Sequence, residues 1–353
     1  MSRCLSILII ITAVFSFLGC KSSPVFLSGE VGPEYMIQLL PQSCDMVTFV
    51  NFKKAMNQET LSKFVYKIFE EIPEFNKICE EYNFVPEKDL YSLSMGLSIR
   101  QSTDFNLPNM VFVVNMNYNQ KFYEYVEEEL ELVEDKAGDR LIYKTSGPDL
   151  YYISFLSDTL ILMGTGHVFW DTIDHINSPG KALQGGPGFI KMILPLDFSS
   201  LCVGVLNIKD LNMIDSNLAN PFMVLFESIE SLSFSIEFKQ NDFLCQFFIH
   251  EENEEDKTKI LTFLTMIKFA LTLNEESEFN FPKEFVEQIG LSLEDTGVRI
   301  KIAVPLEYLE DSLKEYIEID IFVREDSRLS SLSLVRKGFP GSIITFLNKV
   351  VFI

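Results

Sequence analysis

The stretch that decides the fold is SLSFSIEF, residues 231–238. Two sets of residues alternate along it: Leu232, Phe234, Ile236 and Phe238, and between them Ser231, Ser233, Ser235 and Glu237. A period of two directs successive side chains to opposite faces of a β-strand. One apolar and one polar face is typical of an antiparallel sheet that buries one side. The pattern therefore predicts such a sheet.

A similar strand, LYSLSMGLSI, occupies residues 90–99 in the first half of the chain. Its Ser-Leu-Ser at 92–94 matches the Ser-Leu-Ser at 231–233. DMVTFVNFKKAM precedes the first copy and NMVFVVNM follows it, as SLCVGVLNIKDL precedes the second copy and FLCQFFIH follows that one. Three elements in the same order indicate an internal duplication. The predicted fold class is α+β, with two related halves, each an antiparallel β-sheet packed against helices.

Between the two copies, LIYKTS, LYYISFL and TLILMGT predict three successive strands of a β-meander. Residues 167–176 and 258–273 predict helices, the second from apolar residues at three- and four-residue steps. The glycine-rich loop at 185–188 is a candidate boundary region. We place the boundary near residue 198, with a first α+β module at 35–198 and a second at 199–353.

The N-terminus reads MSRCLSILIIITAVFSFLGC. Arg3 precedes an apolar run from Leu5 to Phe17, which is shorter than the roughly 20 residues of a membrane-spanning helix. A small residue, Gly19, then precedes Cys20. This layout predicts a secretory signal peptide at residues 1–19. Residues 20–34 are polar and rich in Ser, Gly and Pro, and they predict a flexible tether.

The end of this signal resembles the lipobox of bacterial lipoproteins. Leu18 and Gly19 fit that pattern, whereas Phe17 stands where leucine is usual. The resemblance implies that Cys20 carries diacylglycerol on its sulfur and an acylated amine after cleavage. It also implies a bacterial envelope location, with Lys21 favouring the outer over the inner membrane. A plain signal peptide with a chance cysteine, or an uncleaved anchor, is the alternative.

Composition limits the partners. The formal charge of −22 opposes nucleic acid and anionic lipid headgroups. Membrane attachment is therefore expected through acyl chains on Cys20. Four further cysteines, without any CxxC spacing, remain in the mature chain: Cys44, Cys79, Cys202 and Cys245. Two of them lie in apolar strand-like runs, which favours buried thiols, but the sequence leaves disulfide pairing open.

Three segments resemble a loosely defined group of uncharacterised exported bacterial proteins: LLPQSCDMVTFVNFKKAM, KDLYSLSMGLSI and DTLILMGTGHVFWDTIDHI. This resemblance implies an envelope location and an α+β fold. It implies no established activity.

Candidate catalytic groups are few. His167 and His175 are too far apart in sequence for one metal site on a helix, although Asp171 and Asp174 accompany His175. His250 precedes a run of acids, which predicts a raised pKa. Gly164-Thr165-Gly166 lacks a complete phosphate-binding motif and predicts a turn. The acidic segments 127–135 and 251–256 lack the pattern of an EF-hand calcium loop and predict solvated helix ends.

We therefore assign no catalytic, cofactor-binding or metal-binding residue and expect no cofactor. The sequence predicts a lipid-anchored envelope protein with a non-catalytic binding or scaffolding role. The alternative is a carrier of a lipid or other apolar ligand, suggested by the many phenylalanines, and the third reading is an envelope hydrolase. A protein partner predicts an exposed apolar patch or sheet edge, and a carrier predicts an apolar cavity.

Overall fold

The computed structural model describes residues 31–70, 79, 81, 84–98, 109–118, 132–138, 140–145, 151–177, 196–208, 229–273 and 286–307. The helices of this part of the chain are α1 (Pro33–Gln38), α2 (Phe52–Met56), α3 (Glu59–Glu70), α4 (Pro86–Asp89), α5 (Gly166–Asn177) and α6 (Glu254–Leu273). The strands are β1 (Met46–Val50), β2 (Leu90–Ser98), β3 (Asn109–Met116), β4 (Val133–Ala137), β5 (Arg140–Lys144), β6 (Tyr151–Phe155), β7 (Leu160–Thr165), β8 (Cys202–Asn207), β9 (Ser231–Lys239), β10 (Asp242–His250), β11 (Gly290–Glu294) and β12 (Gly297–Pro305).

All of these strands belong to one antiparallel sheet, in the order β11-β12-β10-β9-β8-β1-β2-β3-β7-β6-β5-β4. The predicted α+β class with antiparallel pairing is confirmed. The predicted meander forms β5, β6 and β7, which pair in chain order. The helix predicted at 167–176 is α5. The helix predicted at 258–273 is α6, which begins earlier because Asn253 accepts hydrogen bonds from the first free backbone N–H groups.

The two halves of the chain meet in the middle of the sheet. β1 pairs with β8 along five residue pairs, among them Val47 opposite Val205. An ion pair crosses the same junction, because the Lys54 ammonium lies 3.5 Å from the Glu237 carboxylate. The prediction of a separate sheet in each half is thus replaced by one sheet that continues across residue 198. β8 has apolar residues on both of its faces, and it lies in the interior of the sheet, between β9 and β1.

In the first half, helices cover both faces of the sheet. Face A is the side on which Phe112 and Val114 of β3 lie, and Val65 and Tyr66 of α3 pack against their cluster. Face B is the opposite side, on which Val113 packs with residues of α1 and α5: Met36, Ile37, Val168, Phe169 and Ile173. Burial on both sides explains why the core of β3 reads as a continuous apolar run instead of alternating.

The second half has its apolar side on face A. Near one end of the strands, Ile260 and Leu264 of α6 pack with Ile249 and Val298. Near the other end, a small cluster contains Phe238 and draws on α2 and α3 through Ala55 and Leu61. Between α6 and this cluster, the middle of face A is less covered.

Candidate binding surface

Part of the outer side of α6 is apolar and exposed. Met266 and Phe269 are 63% and 62% exposed. At 100° per residue they lie on the side of the helix opposite Leu264, which contacts the sheet. The sequence predicted only the inner stripe of this helix. Met266 and Phe269 lie outside that stripe, and their position in the sequence is the feature that indicates a second apolar surface.

The neighbouring edge strand β11 is also partly apolar and exposed. Leu293 is 46% exposed, and its position opposite Val298 places it on face A, the side that α6 covers. Two lysines of α6 fix the chain around β11. Lys268 donates to the carbonyl of Ile289 at 2.5 Å, and Lys257 donates to the carbonyl of Asp295 at 2.6 Å. The helix and the edge strand therefore form one unit that exposes apolar side chains.

A second apolar area, the central apolar patch, lies in the middle of face A. It comprises Phe234, Ile236, Cys245 and Phe247, which face each other across β9 and β10. The four side chains are only partly buried, whereas the next pairs along the strands belong to the two clusters described above. Gly204 allows this arrangement, because a Cβ atom there would lie 2.5 Å from the ring of Phe234.

The polar side of β9 differs from its prediction. The alternation predicts that Ser231 and Ser233 face solvent, yet both are buried on face B. The Ser233 hydroxyl lies 2.9 Å from Nε2 of His250 on the neighbouring strand. A hydroxyl beside an imidazole resembles a nucleophile and its base. Because Ser233 is only 3% exposed, a substrate has little access to this hydroxyl, and we treat the pair as structural.

The pKa of His250 is lowered, contrary to the prediction from its acidic neighbours in sequence. Burial disfavours the charged imidazolium, and this effect outweighs the opposing influence of Glu230. The stability that His250 contributes is therefore fully present at pH values above the ordinary histidine pKa of about 6.5. It is lost as the pH falls through the lowered pKa of His250 in the folded protein.

We accordingly expect the free energy of unfolding to fall more steeply between pH 7.5 and pH 5 in the wild type than in His250→Gln. The glutamine variant retains a side-chain partner for Ser233 but has no group to protonate. Urea unfolding at a series of pH values measures the difference between the two proteins. Identical pH profiles would show that His250 does not titrate in the way that its burial implies.

His175, a second of the three histidine candidates, has a structural role. Nε2 of His175 lies 2.8 Å from the carbonyl of Gln38, and the Asp171 carboxylate accepts a hydrogen bond from Ser43 at 2.7 Å. Both contacts attach α5 to the chain around α1. Within the described residues, no group of three histidine, cysteine or acidic side chains could hold a metal ion.

The described cysteines are free thiols. Burial raises the pKa of Cys202 to about 12 and that of Cys245 to about 11, and it also raises the pKa of Cys44. Cys202 and Cys245 lie on either side of Ile236, with one strand between them. Neither strand can bring its sulfur across the intervening strand to form a disulfide.

The remaining sequence candidates are structural or lie outside the described residues. Gly164 lies so close to β3 that a Cβ atom there would be 2.5 Å from the carbonyl oxygen of Met110, and Gly166 has a positive φ of 59°. Both are consistent with the predicted strand-to-helix turn. The prediction of solvated helix ends for the acidic segments is wrong in two places. Glu251 is buried, and it accepts a hydrogen bond from the Asn253 N–H just before α6. Glu134 and Asp135 lie in strand β4. Cys20, the glycine-rich loop at 185–188 and residues 127–131 are not among the described residues.

None of the helices in the described part of the chain combines the length and apolar character needed to cross a membrane. The membrane attachment expected through Cys20 concerns a different part of the chain.

No protein-family model matches the chain, and no curated protein matches it. It is similar to solved structures of TP0453. Crystal form III is 12% identical, with 81% of this chain and 99% of that chain covered and a TM-score of 0.44. Crystal form I is 10% identical over 81% and 98% of the two chains, with a TM-score of 0.41. Crystal form IV is 11% identical over 80% and 97%, with a TM-score of 0.44.

Proposed function

We propose that this protein is a lipid-anchored protein of the bacterial envelope with a non-catalytic binding role, and that it contacts a protein partner through α6 and β11. The observation that carries this proposal is the exposure of Met266, Phe269 and Leu293 on two elements that pack against each other. Single exposed apolar residues are common on protein surfaces. Several on adjoining elements indicate a contact surface.

The anchor would be Cys20, in keeping with the lipobox resemblance. The chain between Cys20 and Val31, which packs in the face-B cluster, spans at most about 40 Å when it is extended. Such a tether keeps the folded part near the membrane while leaving α6 and β11 able to meet a partner. Two or three acyl chains are sufficient for durable attachment.

We also propose that the two halves arose by duplication. Thr48 and Gly204 are the middle pair of the β1–β8 ladder, and a twofold axis that passes between them, perpendicular to the sheet, exchanges the two residues. Met95 of β2 pairs with Thr48 and Phe234 of β9 pairs with Gly204, so the same axis relates Met95 to Phe234. The same relation superimposes the Ser-Leu-Ser at 92–94 on that at 231–233, which is the alignment inferred from sequence. The agreement between register and sequence supports the duplication.

A second candidate function, the binding of a lipid or other apolar ligand, is favoured by the central apolar patch. Four partly buried side chains, two of them phenylalanines, lie there between α6 and the cluster around Phe238. An acyl chain could pack against this surface. The two functions use different surfaces of the second half.

Intact mass spectrometry of the full-length protein, gently extracted from its own membranes, tests these proposals. Under denaturing conditions we expect the mass of residues 20–353 plus acyl groups. A retained signal, or cleavage without lipid, would contradict the anchor. Under native conditions, an added protein would support the partner, and a lipid-sized addition released on denaturation would favour the second candidate.

A further inference from the structure

The outward edge of β11 presents backbone groups that its neighbour β12 does not use. The Thr296 carbonyl accepts a hydrogen bond from the Glu251 N–H on the β10 side. Backbone groups alternate in direction along a strand, so the next residue, Gly297, turns its backbone towards β11 and pairs with Glu294. By the same alternation, Leu291 and Leu293 direct their N–H and C=O groups away from β12. Among the described strands, none lies beyond β11.

The side chains beside this edge suit an alternating partner strand. Leu291 and Leu293 lie on face A, below α6, whereas Ser292 lies on face B and is exposed. A strand added along β11 would continue both faces of the sheet. Its face-A side chains would meet the leucines, on the side of the sheet that α6 covers. Its face-B side chains would meet Ser292 and solvent.

The charges near this edge favour a basic partner. Glu287 and Asp295 are exposed at the two ends of β11. Three nearby cations are engaged, because Lys257 and Lys268 donate to backbone carbonyls and Arg299 pairs with Glu294 at 2.9 Å. A fourth, Lys301, lies exposed on face B, opposite Gly290. The whole chain carries a net charge of −22. A second copy of this chain would therefore bring like charges together, whereas lysine or arginine would be attracted.

The opposite edge of the sheet is built differently. The central residues of β4 are all charged, Glu134, Asp135 and Lys136. Charges on an edge strand are a common protection against unwanted strand pairing. The centre of β11, Leu291 to Leu293, has no charge. The contrast distinguishes a protected edge from one that remains suited to pairing.

We propose that β11 binds an extended segment of a partner protein in which apolar residues alternate with lysine or arginine. The segment would add to the sheet as a further strand through the backbone groups of Leu291 and Leu293. This inference rests on the proposed partner-binding function and names the partner's chemistry and the place where it binds.

Hydrogen exchange of the full-length protein tests the inference, with an acetylated decapeptide of alternating lysine and valine as the probe. We expect rapid exchange at the amides of Leu291 and Leu293 in the protein alone and slow exchange when the peptide is bound. A peptide of the same sequence, N-methylated along the edge that would face β11, should give no protection. Added salt should weaken binding, because the attraction is partly electrostatic.

A matched pair of proline variants locates the binding site. Leu293→Pro removes one outward N–H while leaving the bonds to β12, and we expect peptide binding to weaken about tenfold or more. Glu134→Pro makes the corresponding change on β4, where the β4–β5 hairpin turns the Glu134 N–H outward, and should leave binding unchanged. A circular dichroism spectrum confirms that each variant is folded.

Three results would overturn the inference. The first is slow exchange at Leu291 and Leu293 without peptide, which would show that this chain or a second copy already covers the edge. The others are equal peptide affinity in Leu293→Pro and the wild type, and equal protection by the N-methylated peptide. Sedimentation velocity would identify a second copy. The proposed function is judged separately. If the edge is closed but the native mass spectrum still contains a protein partner, the inference fails and the function stands.

Discussion

Phe169→Ala is expected to lower the free energy of unfolding by about 4 kcal/mol, whereas Phe269→Ala is expected to lower it by less than about 0.5 kcal/mol. Both changes remove the same atoms from a helix. Phe169 of α5 is fully buried on face B, stacked on Tyr152 with 5.2 Å between ring centroids. Phe269 of α6 is 62% exposed. Only the first change leaves a cavity.

Urea unfolding followed by circular dichroism measures both effects. The comparison also has a functional use, because Phe269→Ala should keep the fold while removing part of the proposed contact surface. Similar losses for the two variants would mean that Phe269 is covered in solution. That outcome would contradict the exposure on which the proposed partner surface depends.

Lys257→Met is expected to lower the free energy of unfolding by about 2–4 kcal/mol, because a partly buried carbonyl loses the charged donor that a buried side chain supplies. The Lys257 side chain is 1% exposed. Its ammonium donates to the Asp295 carbonyl at 2.6 Å and to the Glu254 carboxylate at 2.5 Å. Methionine retains most of the side-chain volume, so the loss reports the hydrogen bonds more than the packing.

Lys259→Met is the matched control on the same helix. Lys259 is exposed and pairs only with exposed or partly exposed acids of the first turn, Glu255 and Asp256. Ion pairs in solvent contribute little to stability, so we expect no clear change in the urea midpoint. Equal effects of the two replacements would contradict the buried role of Lys257. Hydrogen exchange should further show faster opening of the β11–β12 turn in Lys257→Met.

The α6–β11 unit links these results to the proposed binding role. Lys257 and Lys268 fix the chain around β11 through its carbonyls, so the edge strand is presented in a defined position. A rigid edge loses less conformational entropy when a partner strand binds. The residues that stabilise this unit, such as Lys257, are therefore distinct from those that would contact the partner, such as Leu293 and Phe269.

Several properties of the candidate site could not be predicted from sequence. The alternation in 231–238 identified β9 and its two faces, but it placed Ser233 in solvent, whereas neighbouring elements bury that residue. The acids next to His250 in sequence suggested a raised pKa, but burial decides the direction. In each case, residues distant in sequence determine the environment of the side chain.

The sequence by itself determined the local structure: the period-two strands, the meander, helices α5 and α6, and the antiparallel α+β class. These follow from side-chain periodicity, which acts over a few residues. The tertiary structure decided that the two halves share one sheet through β1 and β8, and that β11 is the last of the described strands at one end of that sheet. Strand neighbours depend on long-range pairing, and the same alternating pattern is compatible with a central or an edge position. Only the assembled sheet shows which backbone groups remain at its edge.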